Sequence, residues 1–194
     1  MGRPRIEILP ETYFLAAVWL LIPPLRLLFS WAVAVAVHEF GHMLAVRCCG
    51  GQIHRIRVLP LGMELGIAPL PPQQEFLCAL AGPAAGILLL PFLRWIPELA
   101  LFGLLQTVCN LLPIYPLDGG RALRCITEWI AGQELAYIVS YITSVLTLLV
   151  LVILGLVGCC GLGLGFAALI PALVLGFKCL GGKIPCKRRS LGLQ

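Results

Sequence analysis

The sequence predicts an all-α polytopic membrane protein with about six transmembrane helices and a short β-hairpin on the cytoplasmic side. Three observations predict it. Apolar residues gather into six long segments, charged side chains are scarce, and Lys and Arg collect on one side once the segments are threaded. Of 194 residues, 60% are hydrophobic and 12% are charged, with a mean hydropathy of +0.98. A soluble domain carries about 25% charged residues. The chain therefore reads as one membrane domain over residues 1–180, followed by a short basic cytoplasmic tail, 181–194.

The apolar segments, in order, are Thr12–Leu25, Leu27–Val46, Phe76–Leu93, Leu99–Leu117, Leu135–Val157 and Leu162–Leu180. A spanning helix needs about 20 apolar residues. The first segment is short and ends at Pro23-Pro24, and it has no small-residue cleavage site of the kind that would mark a removable signal. With the N-terminus in the cytoplasm and six spans, all fourteen Lys and Arg except Arg26 and Arg94 fall on the inner side. That bias orients the chain as a multi-pass protein of the cell membrane with both termini cytoplasmic.

Between the second and third segments, "IRVLPLGMELGIAP" (56–69) alternates in the manner of a β-hairpin with Gly62 near its turn. An edge strand there could capture an unwound peptide by strand addition, although a plain connecting loop fits the same residues. Residues 119–133 predict a short interfacial helix with Trp129 at headgroup depth.

The net charge of +5 does not point to nucleic acid, because the basic residues form no stripe interleaved with aromatics. Nine cysteines include no CxxC, and Cys48-Cys49 and Cys159-Cys160 are adjacent pairs. They read as small apolar fillers rather than bridges or a zinc knuckle.

Ionisable groups inside a span are costly and mark function. Seven of the nine acidic residues fall at segment ends or in loops; Glu39 is embedded, and Asp118, the only aspartate, closes the fourth segment. Glu39 belongs to "HEFGH" (38–42). On a helix, His38 and His42 are one turn apart on one face, so both imidazoles can reach one tetrahedral zinc. Glu39 beside them can take a proton from water. A third ligand is needed. His54, in the basic stretch "QIHRIRV", reads as a solvated loop histidine, and Asp118 is the better choice because carboxylate oxygen ligates zinc.

The depths agree. Spans two and four both run inward, and His42 precedes Arg47 by five residues while Asp118 precedes Arg121 by three. Both thus lie near the cytoplasmic surface, the former about 7 Å from Arg47 along the helix. Around Asp118, "NLLPIYPLDGGR" (110–121) breaks a regular helix at Pro113 and Pro116, and Gly119-Gly120 permit unusual backbone angles. Such backbone is tolerated at membrane depth only when buried in protein or lining a wet cavity. Taken alone, the stretch also fits a proline-kinked span ending in a glycine cap. Asn110 adds an amide one or two turns above the aspartate.

With HEFGH, "ALAGPAAG" (79–86) and "NLLPIYPLDGGR" in this order and spacing, the chain resembles the site-2 protease family of intramembrane zinc metalloproteases over nearly its whole length. It is most similar to the compact six-span, sporulation factor IV-type group. The resemblance implies one zinc per chain on His38, His42 and Asp118, Glu39 as the residue that activates water, and Asn110 as a substrate-positioning residue. It implies a membrane-tethered protein substrate, such as a sigma-factor precursor or an anti-sigma factor, and a regulatory membrane partner. "GPAAG" stands where family members often carry an asparagine. No PDZ domain is inserted, and the tail after Leu180 is too short for a nucleotide-sensing CBS domain, so regulation through either is not expected.

Other classes explain less. A zinc transporter would spread ionisable groups along a path, yet the outer halves of the segments hold almost none. An inactive membrane scaffold would tend to lose Glu39 or a ligand. A structural zinc site would close with a fourth protein ligand, and the sequence offers no convincing candidate.

Overall fold

A computed structural model describes residues 5–8, 10, 12–13, 24–59, 62–161 and 172–176. The chain divides into two compact units, Met1–Leu111 and Leu112–Gln194.

In the first unit, α1 (Leu25–Cys48) begins after Pro24 and ends where Gly50 turns into the left-handed region, at φ 73°. At 1.5 Å per residue its 24 residues extend about 36 Å, enough to cross a hydrocarbon core of about 30 Å. Two strands follow, β2 (Ile53–Leu59) and β3 (Gly62–Ile67), and they pair antiparallel as the predicted hairpin. A third strand, β1 (Arg5–Ile8), pairs parallel to β2 in the order β1-β2-β3. Strand β1 is not legible in the sequence, since four residues are too few to show an alternation. Pairing puts Glu7 opposite Arg57, where its carboxylate meets Arg55 at 3.3 Å and Arg57 at 3.4 Å.

Helix α2 (Pro72–Ile87) opens on a proline, whose missing N–H costs nothing in a first turn. A 3-10 turn (Leu90–Arg94) and α3 (Pro97–Asn110) complete the unit. Leu89 and Leu99 pack with Ala34 of α1, while Val46 of α1 packs with Leu70 and Cys78. Small residues let the backbones close up, as they do between membrane helices generally. A Cβ on Gly41 would stand 2.6 Å from the Ala81 carbonyl oxygen.

The second unit holds α4 (Asp118–Ala131) and α5 (Gln133–Gly161), separated by Gly132 at φ 85°. Helix α4 is amphipathic. It buries Gly120, Ala122 and Cys125 and exposes Ile126, Trp129 and Ile130, and so forms the helix expected over 119–133.

Three stretches among the described residues are long and apolar enough to cross a membrane: Leu25–Cys48, Pro72–Arg94 and Gln133–Cys160. Among the described residues these three stand against the six spans expected of the whole chain. The fourth apolar segment is helical only to Asn110, and the 14 residues of α3 extend about 21 Å, short of the bilayer core. Pro113 and Pro116 stop the helix, because each also disfavours helical backbone in the residue before it. Most of the first and sixth segments, and the tail 181–194, lie outside the described residues.

Candidate metal centre

His38, Glu39 and His42 lie on α1 in the first unit, all buried, with His38 only 2% exposed. The helical spacing brings the two rings together edge to face, with Nε2 of His42 3.2 Å from Nε2 of His38. The Nδ1 of His42 is 2.7 Å from the Cys78 carbonyl oxygen of α2. A carbonyl only accepts, so the proton sits on Nδ1, and the neutral ring presents an unprotonated Nε2 toward His38. A tetrahedral ion with bonds of about 2.0–2.1 Å to nitrogen sets two such ligands about 3.4 Å apart. The observed separation fits a shared ion.

Glu39 is held from another side. Its Oε1 accepts the backbone N–H of Met63 in β3 at 3.0 Å, so the hairpin orients the carboxylate next to the two imidazoles. Asn110, the last residue of α3, brings Nδ2 to 3.4 Å from Nε2 of His38.

In the second unit, Asp118 is the first residue of α4 and is 7% exposed. The positive end of the helix dipole favours a carboxylate at that position. Arg121 adds a positive charge one turn on, 4.0 Å from Oδ1. The preceding residues are anchored independently. Ile114 and Leu117 are buried with Leu175, and the Tyr115 N–H donates to Ser144 Oγ at 2.9 Å. Gly120 is required by close approach, since a Cβ there would stand 2.5 Å from the Ile114 oxygen and the Tyr115 nitrogen. Asp118, His38 and His42 each offer one ligand atom, and all are buried.

The structure thus gathers His38, Glu39, His42 and Asn110 in the first unit. Four details differ from expectation. Asp118 opens a new helix instead of closing the fourth segment, and the seven residues after Asn110 are not helical, so helical turns do not measure their separation. Gly119 and Gly120 are helical and do not take unusual angles. His54 is exposed as expected, but it lies in β2 at an irregularity between Ile53 and Arg55. The contacts from Cys78 and Met63 were not legible in sequence, because both are made by backbone atoms.

A buried histidine pair one helical turn apart, flanked by a glutamate in an apolar helix, makes a candidate metal centre. Comparison with known proteins agrees. The Peptidase M50B-like family model matches residues 11–117, and that of Peptidase family M50 matches 91–154. The chain belongs to the M50, or site-2 protease, family. A zinc metalloprotease of Methanocaldococcus jannaschii is 32% identical over 108 residues, 48% of this chain and 32% of that protein. Stage IV sporulation protein FB of Bacillus subtilis is 32% identical over 136 residues, 61% of this chain and 46% of that protein. The chain thus spans less than half the length of these curated relatives. The solved structure of the site-2 protease from Methanocaldococcus jannaschii matches with a TM-score of 0.63 and 24% identity, over 90% of each chain. The fold is that of a site-2 protease.

Proposed function

We propose that this chain is an intramembrane zinc metalloprotease that hydrolyses a peptide bond in or near a transmembrane segment of a membrane-tethered protein. The observation that carries this reading is the 3.2 Å approach of two buried imidazole nitrogens beside Glu39. The family assignment and the zinc metalloprotease among its relatives support it. His38, His42 and Asp118, three buried residues of accepted ligand type, would hold one zinc per chain.

Bound zinc supplies Lewis-acid chemistry, lowering the pKa of water and polarising a peptide carbonyl. Glu39, oriented by the Met63 N–H, removes the proton from the attacking water and passes it to the leaving amine. The Cys78 carbonyl keeps the His42 proton on Nδ1. The nucleophile is water, so no covalent acyl-enzyme forms. The substrate proposed is the one the sequence resemblance implies, a membrane-tethered protein such as a sigma-factor precursor or an anti-sigma factor. The direct test compares membrane proteomes of cells making the native chain or Glu39→Gln. Fragments of a tethered protein should appear only with the native chain; identical proteomes would refute proteolysis.

Asn110 is proposed to hold the extended substrate backbone. On that role, Asn110→Leu leaves zinc content and melting temperature unchanged and slows cleavage about 10- to 100-fold, the loss of one hydrogen bond made with the reacting substrate. A structural role, in which Asn110 bonds a carbonyl freed by Pro113 or Pro116, instead lowers stability and zinc content with activity per zinc unchanged. That second result would remove Asn110 from the mechanism.

The topology proposed is cytoplasmic for both termini, with the site near the cytoplasmic face. Tags at either end are expected to be protected in intact cells, and a label near Arg94 to be reached from outside. A C-terminal tag accessible from outside would reverse the assignment.

A further inference from the structure

Gly82 lies in α2, one turn beyond Cys78, and its backbone is ordinary helix outside the left-handed region. Conformational freedom is therefore not what this position requires. What it requires is space. A Cβ on Gly82 would collide with the His42 ring, and the three nearest atoms it would meet are Nε2, Cε1 and Cδ2 of that ring. The collision is closest at Nε2, the nitrogen left unprotonated by the Cys78 contact.

The geometry points to Gly82 as the positioning residue for His42. Two backbone features of α2 together define the ring. The Cys78 carbonyl fixes which nitrogen carries the proton, and the bare Cα of Gly82 leaves the other nitrogen clear and turned toward His38. Any side chain at residue 82 must either swing the ring away from His38 or fill the space in front of Nε2. Interiors have no slack to absorb such an overlap without cost. The role of Gly82 toward zinc rests on the metalloprotease reading; its role toward the His42 ring does not.

The two claims separate in one set of full-length variants in detergent: native, Gly82→Ala, His42→Ala and the double variant. Melting temperatures are measured after removal of metal. Alanine is a better helix former than glycine. So where the ring is absent, the alanine should be neutral or stabilising. Gly82→Ala is expected to lower the melting temperature of the native chain and to leave unchanged or raise that of His42→Ala. An equal loss in both backgrounds would show that Gly82 serves helix packing in general and would overturn the proposal. If the single variant fails to fold, recovery of folding in the double variant supports it, and failure of both overturns it.

Zinc affinity, read by competition with a chelator, is expected to fall about 10- to 100-fold in Gly82→Ala, the usual effect of disturbing a ligand's supporting partner. Unchanged affinity overturns the proposal. A native chain that binds no zinc refutes the metalloprotease reading instead, while the melting temperatures still decide the part played by Gly82.

Discussion

Glu39→Gln is expected to bind about one zinc per chain, to melt at the native temperature and to lose cleavage almost entirely. Glutamine matches glutamate in size and keeps an oxygen that can accept the Met63 N–H, now 3.0 Å from Oε1. The hairpin contact therefore survives. What disappears is a group able to take a proton, and a positioned general acid–base contributes about 10²- to 10⁴-fold. Because Glu39 is assigned both transfers, from water and to the amine, the loss should lie toward the upper end. Cleavage of a membrane-tethered reporter in vesicles, normalised to zinc content, measures it. Native-like turnover would show that another residue is the base. Zinc loss in this variant would make Glu39 a ligand instead.

Asp118→Ala is expected to purify without zinc and without activity. The carboxylate is proposed as the third ligand, so its removal leaves two imidazoles, too few for a stable tetrahedral site. The loss should exceed the roughly 100-fold that follows removal of an outer partner. The fold around residue 118 should persist, because Ile114, Leu117 and the Tyr115–Ser144 hydrogen bond anchor the preceding segment without the carboxylate. Metal analysis together with helical content separates the cases. A folded Asp118→Ala with one tightly bound zinc would exclude Asp118 from the centre.

Much of the centre is readable without coordinates because its identity lies in side chains that a bilayer would otherwise reject. Two histidines and a glutamate in a 24-residue apolar helix cannot be surface decoration, and helical periodicity alone puts the two imidazoles on one face. The hairpin at 53–67 and the helix at 118–131 announce themselves by local pattern, an alternation in one and an amphipathic face in the other. Local pattern fails for β1, whose four residues become a strand only because β2 offers an edge to pair with. It fails again for the fourth apolar segment. Hydropathy continues through Leu117, but backbone sterics at the prolines end the helix at Asn110.

The chemistry proposed for this centre is written in the chain: which residue types are present, their spacing on α1, and the apolar setting that makes them costly to keep without a function. How those groups are held depends on packing. The Cys78 carbonyl, by accepting from Nδ1–H, sets which nitrogen of His42 carries the proton; the clearance of that ring comes from a missing Cβ at Gly82, and the orientation of Glu39 from a backbone N–H at Met63. The physical reason is common to all three. Backbone donors, backbone acceptors and empty space are the same for almost every residue, so no side-chain pattern records where they act until the helices and the hairpin have packed.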